Sequence, residues 1–231
     1  MSGLNRAYKR RPSMVSMNGG PVLCLDAGSK LSYPGTGTTW TDLSGSGNNG
    51  TLTNGPTFDS ANGGSLVFDG VNDYVSTPLS LGGYTAFTLA AWIKTTTASK
   101  EVVSTYGVTN IFEFWINPNK TISIYTYSGA STTYRASSTV VGTGSWVYCV
   151  GTYNATTTLN MYINGVLDNG ALTGTIPAFV NSGSSTVVIG NVNSGSFYFN
   201  GSISQVSIYN RALSATEIST NFELLRGRYG I

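Results

Sequence analysis

Leu159-Asn-Met-Tyr-Ile-Asn-Gly-Val-Leu167 decides the fold class. Leu159, Met161 and Ile163 alternate with polar or amphipathic neighbours, the period of a half-buried strand. Asn164-Gly165 then supplies the two residues that best tolerate positive φ, and Val166-Leu167 resumes the apolar character. This is the pattern of a two-residue β-hairpin. A chain that turns back on itself so tightly is building antiparallel sheet.

The same logic extends outward. Upstream, Trp146–Tyr153 is a further apolar run. Asn117-Pro-Asn-Lys120 joins two alternating segments. A three-residue loop at 118–120 places Phe112, Phe114 and Ile116 on one face with Ile122 and Ile124. That face is apolar and must be core, so burial sets the register. Ile111, Glu113, Trp115, Ser123, Tyr125 and Tyr127 then share the opposite face, with Tyr134 and Arg135 soon after. Pro21–Asp26, Ser65–Phe68, Asp73–Ser76, Ala86–Lys94, Glu101–Tyr106, Val187–Gly190 and Gly201–Tyr209 read as further strands, with turn residues between them. The stretch from 27 to about 64 reads as a loop. One helix is expected: Ser214-Ala-Thr-Glu217 has the form of a capping box, and Ile218, Phe222 and Leu225 follow as an apolar stripe. It is expected to seal one end of the assembly, with Gly227 as its stop.

Composition agrees with a turn-rich β protein. The 231 residues include 29 Gly, and only 10% are charged, well below the usual quarter. One sandwich can occupy that length. Residues 1–20 read as a basic arm carrying Arg6, Lys9, Arg10 and Arg11. Residues 21–225 read as the domain, and 226–231 as a basic tail with Arg226 and Arg228. The remaining six cations face ten acids, so the body is mildly acidic. That argues against a nucleic-acid-reading body. No apolar run approaches the length of a membrane span. The opening residues lack the apolar stretch of a secretory signal, so synthesis in a cytoplasm is expected. The sequence has no histidine, which removes His-based catalysis and His metal ligation. Cys24 and Cys149 sit in strand-like runs, as two buried thiols or as one disulfide.

Four ordered motifs carry a family likeness. They are Ser65-Leu-Val-Phe-Asp-Gly-Val-Asn-Asp-Tyr-Val75, Phe87-Thr-Leu-Ala-Ala-Trp-Ile93, the hairpin from Ser145 to Leu167, and Phe199–Ser214 followed by Glu217. Together they resemble laminin-G-like, concanavalin-A-like jelly rolls over about residues 21–222. The resemblance implies an all-β, two-sheet antiparallel sandwich with one short C-terminal helix. Such modules are found in tailed-phage virion proteins, and the chain ends resemble small phage structural proteins. This implies a non-enzymatic virion surface protein, a capsid decoration or head-fibre subunit. Its terminal cations Arg6, Lys9, Arg10, Arg11, Arg226 and Arg228 would dock on capsid or other virion proteins.

Other readings stand beside it. The face of Glu113, Trp115, Tyr125, Tyr127, Tyr134 and Arg135 fits a glycan, since aromatic faces stack on sugar rings, or a protein partner. Relatives of this shape hold Ca²⁺ between loops, and Asp69, Asn72 and Asp73 are the oxygen-rich candidates here, although Asp and Asn also shape turns. No other cofactor is expected. A glycoside hydrolase is the least favoured reading. Such enzymes need two nearby carboxylates, whereas Glu101 and Glu113 each stand alone in the sequence. Thr-rich strands could leave edges that a homo-oligomer would bury.

Overall fold

The structure, a computed structural model, describes residues 19–106, 111–181, 185–191 and 197–231. Arg6, Lys9, Arg10 and Arg11 lie outside the described residues. The first strands are β1 (Leu23–Asp26), β2 (Thr39–Trp40), β3 (Gly50–Thr53), β4 (Thr57–Asp59), β5 (Ser65–Asp69) and β6 (Tyr74–Ser76). Next come β7 (Ala86–Lys94), β8 (Lys100–Tyr106), β9 (Phe112–Ile116), β10 (Thr121–Ser128) and β11 (Ser131–Val140). The last are β12 (Trp146–Asn154), β13 (Thr158–Ile163), β14 (Val166–Leu167), β15 (Asn169–Thr173), β16 (Thr186–Ile189) and β17 (Asn200–Tyr209). Helix α1 (Ala215–Leu225) and a 3-10 turn at Arg226–Arg228 complete the chain.

The strands form two antiparallel sheets. The first runs β14-β13-β12-β7-β17-β5-β4, with β1 also paired to β17. The second runs β15-β11-β10-β9-β8-β16-β6-β3-β2. Their inner faces meet in one core. Leu23, Leu25, Phe87, Leu89, Ile93 and Ile208 of the first sheet pack against Phe112, Phe114, Ile116, Ile122, Ile124 and Ile189 of the second. The expected jelly-roll sandwich is therefore the observed fold.

Both hairpins have the expected register. Ile163 pairs with Val166, leaving Asn164 (φ 50°) and Gly165 (φ 81°) as the turn. Ile122 pairs with Ile116 and Ile124 with Phe114, and Lys120 closes the loop at φ 64°. Ile111 departs from its expected face: it lies just before β9 and is buried in the core.

Four differences have physical causes. First, β2, β3 and β4 lie within the stretch read as a loop. They are two to four residues long, too short to show a period. Second, β11 has no apolar alternation, because its buried inward positions are Thr133 and Ser137. Both hydroxyls are satisfied, Thr133 donating to Thr175 O at 2.7 Å and Ser137 to Thr139 O at 2.8 Å. Third, α1 does not seal an end of the sandwich. It lies on the outer face of the first sheet, where Ile218, Phe222 and Leu225 pack with Ala90, Trp92, Tyr148 and Val150. This is why β7 is buried on both faces. Its capping box is formed as expected, with Ser214 accepting from Glu217 N.

Fourth, the C-terminal segment is part of the fold. Tyr229 stacks on Trp92 with ring centroids 3.9 Å apart. Arg228 grips Asp26 with two hydrogen bonds, of 2.7 and 3.1 Å. Arg226 pairs with Glu223 at 2.7 Å on the surface. Cys24 and Cys149 are both free and buried. Cys149 faces the inter-sheet core, while Cys24 alternates with the core residues Leu23 and Leu25 and so faces away from it. Burial raises both thiols, Cys24 to about 11.

Candidate functional site

The outer face of the first sheet is covered by α1; on the outer face of the second, Glu101, Ser104 and Ser123 are buried, and Glu113, Trp115, Tyr125, Tyr127 and Tyr134 are half-buried. The registers of the second sheet fix which side chains stand together there. Cross-strand partners share a face. One row runs Tyr134 (β11), Tyr125 (β10), Glu113 (β9), Ser104 (β8) and Val188 (β16). The next runs Ala136, Ser123, Trp115 and Glu101 across β11 to β8. Tyr127 stands two residues beyond Tyr125 on the same face.

The aromatic rings form an array. Tyr125 stacks on Tyr134 at 4.6 Å, with 23° between planes. Tyr127 lies nearly parallel to Tyr125 at 6.5 Å. Trp115 meets Phe197 edge-on at 5.0 Å. Trp115 and the three tyrosines are half-buried, and Phe197 is exposed. Apolar ring faces and hydroxyls are thus offered together, the combination that grips an amphipathic ligand.

Carboxylates lie beside this array. Glu113 accepts a hydrogen bond from the Tyr127 hydroxyl. Burial holds its carboxyl above the usual range. Glu101 is wholly buried. A bulge between Glu101 and Val103 lets its Oε1 accept from Phe114 N at 3.2 Å, while its Oε2 has no partner. Burial, and then the nearby Glu113, push the Glu101 carboxyl well up. Tyr125 is pushed up to about 12, first by burial and then by Tyr134.

The fold thus brings Glu113, Trp115, Tyr125, Tyr127 and Tyr134 together, and corrects the assignment of Arg135. Adjacent strand residues point to opposite faces. Arg135 pairs with the core residue Ile124, and its guanidinium donates to Leu159 O and Gly170 O at 2.9 and 3.0 Å. It does not reach the aromatic face. A second finding concerns the acids: Glu101 and Glu113, isolated in sequence, lie on the same face of β8 and β9. Phe197, Glu101 and Ser104 were missed because they arrive from another strand or loop. Glu101–Tyr106 reads as a strand, but the bulge between Glu101 and Val103 breaks the period of two that would assign Glu101 and Ser104 to this face.

The remaining site residues lie apart from this face. Asp69 Oδ1 accepts from Val71 N at 2.7 Å and Asn72 N at 3.3 Å, and Asp73 Oδ2 accepts from Asp69 N at 3.0 Å. These bonds shape the turn between β5 and β6. Among the described residues, no group of three or more acidic or Cys side chains could hold a metal ion. No helix among them is long and apolar enough to cross a membrane. Arg228 is not available as a docking residue, since Asp26, Asn62 O and Ser204 occupy its guanidinium.

This fold and this face define a class. Residues 69–219 match the family described as the concanavalin A-like lectin/glucanases superfamily, and the chain belongs to it. No curated protein matches the chain. Among solved structures it is similar to the binding domain of Paraclostridial Mosquitocidal Protein 1, at 16% identity and TM-score 0.68 over 88% of this chain and 52% of that one. It is similar to the receptor-binding domain of botulinum neurotoxin type G, at 15% identity and TM-score 0.67 over 89% and 51%. It is also similar to domain 4 of AbnA, a GH43 extracellular arabinanase from Geobacillus stearothermophilus, in complex with arabinotriose. That match has 16% identity and TM-score 0.65 over 87% of this chain and 98% of that one. The chain spans about half the length of the toxin domains. At these identities the likeness is one of fold.

Proposed function

We propose that this chain is a carbohydrate-binding module whose ligand lies across β9, β10 and β11. The observation that carries this reading is the half-buried array of Tyr125, Tyr127, Tyr134 and Trp115 with Glu113 set among it. Sugar rings stack on such faces, and the carboxylate and phenol groups orient hydroxyls. The similar arabinanase domain was solved with arabinotriose, and one similar toxin domain with SialylT, which supports a glycan as the ligand class.

The site binds rather than cleaves. A glycosidase needs two carboxylates flanking the scissile bond. Here Glu101 is wholly buried and hydrogen-bonded to the β9 backbone, so only Glu113 can meet a sugar. The virion-surface reading rests on the basic ends, and of those Arg228 is held within the fold.

A glycan array tests the reading. Hits are expected, and Tyr134→Ala should weaken the best of them by about tenfold, the loss of one stacking face. An array without hits, or unchanged affinity in this variant, would reject the site.

A further inference from the structure

The aromatic residues on the outer face of the second sheet fall into two clusters. In the first, Tyr125 stacks on Tyr134 at 4.6 Å and lies nearly parallel to Tyr127 at 6.5 Å. In the second, Trp115 meets Phe197 edge-on at 5.0 Å. Different parts of the chain supply them. The tyrosines belong to β10 and β11, and Trp115 to β9. Phe197 precedes β17, and its carbonyl accepts from Glu101 N at 3.0 Å. Each cluster holds its own rings in place before a ligand arrives, which lowers the entropy cost of binding. The registers set the distance between these two platforms. Trp115 pairs with Ser123, and Tyr125 stands two residues further along β10, a diagonal of about 7–8 Å. Tyr134 lies opposite Tyr125 on β11, so it is two strand spacings and two residues from Trp115, about 12 Å between Cα atoms. A single sugar ring, no larger than one aromatic side chain, cannot cover both. Trp115 and the three tyrosines are half-buried and Phe197 is exposed, so both platforms meet solvent.

We propose that the two platforms bind one continuous glycan chain, of about three units or more to cover that span, rather than a single terminal sugar. This rests on the glycan-binding reading and narrows its ligand class to oligosaccharides and the interior of polysaccharide chains. The chain lies obliquely to the strands, from Tyr134 on β11 towards Trp115 on β9 and Phe197. One unit packs on the tyrosines and a later unit on Trp115 and Phe197. When both units belong to one ligand, the second contact is intramolecular, so affinity climbs steeply once the chain reaches both platforms. A shorter ligand engages one platform at a time and gains nothing from the other.

Isothermal titration calorimetry tests this with four linear series, built from arabinose, xylose, glucose and N-acetylglucosamine, each from monosaccharide to pentasaccharide. In the series that binds, affinity is expected to rise about tenfold between the disaccharide and the tetrasaccharide, then level off. Trp115→Ala and Tyr134→Ala each remove one platform and should bring that ratio close to one. Phe197→Ala, at an exposed position, trims the second platform without touching the core and should lower the ratio. A thermal melt confirms that the variants fold. A merely structural role for these rings would lower all affinities together and leave the ratio unchanged. Equal affinity for monosaccharide and pentasaccharide overturns the inference and leaves glycan binding standing. So does a ratio that survives both Trp115→Ala and Tyr134→Ala. Binding in none of the series overturns the inference, while the glycan array decides separately whether glycan binding survives.

Discussion

At the scale of the residue, burial and neighbours decide what each side chain can do. Tyr134 and Arg135 are adjacent in sequence and lie on opposite faces of one strand, so one joins the aromatic array and the other caps carbonyls. Glu101 is the clearest case of cost. A carboxyl whose folded pKa is raised adds stability that is fully present below its unfolded pKa, near 4.3, and is lost as pH rises through the folded value. Burial, with Glu113 nearby, raises Glu101 well up. At pH 8 the wild type therefore carries a penalty that a neutral amide does not. Glu101→Gln should raise the melting temperature by a few degrees at about pH 8, and the gain should vanish near pH 4. A melting temperature lowered at both pH values would show that the carboxyl is not strained by its burial. Sequence alone shows Glu101 only as a lone acid at a strand start. Its charge state follows from the neighbours that folding brings.

At the scale of the element, hairpins with turn chemistry were readable and polar strands were not. Asn164-Gly165 announces its turn through residues that accept positive φ, Asn117-Pro-Asn-Lys120 through its Asn and Pro, and burial of one face fixes the pairing. The strand β11 carries no such signal, because threonine and serine fill its inward positions. Close contact between the sheets is equally invisible in sequence. Gly151 of β12 faces Ile124 of β10, and an added Cβ would stand 2.9 Å from the Ile124 Cβ. Gly151→Ala should destabilise the fold by about 1–3 kcal/mol through overpacking, as read by urea denaturation. Restoration by a second change, Ile124→Val, would locate the clash, and no loss in the single variant would show that the sheets can spread.

At the scale of the whole molecule, the C-terminal segment is a working part of the fold. Helix α1 and Tyr229 cover the outer side of the first sheet, and Arg228 fastens them to β1 through Asp26. Arg228→Ala would leave Asp26 largely buried without its cation. The expected loss is about 2 kcal/mol, a fall of roughly 4–8 °C in melting temperature. Tryptophan emission should also shift to the red as the stack on Trp92 loosens. Unchanged stability and emission would show that the segment is held by its apolar contacts alone.

The sequence by itself determined the class of fold, the two principal hairpins, the capped helix and most of the aromatic face. Those features are local: turn residues, a period of two and a capping pair act over a few positions. The tertiary structure alone decided where the helix packs, that Arg135 turns inward and that Glu101 and Glu113 lie on one face of the second sheet. Each of these depends on strands far apart in the chain lying side by side, and a β-bulge or a polar strand erases the local period that would announce it.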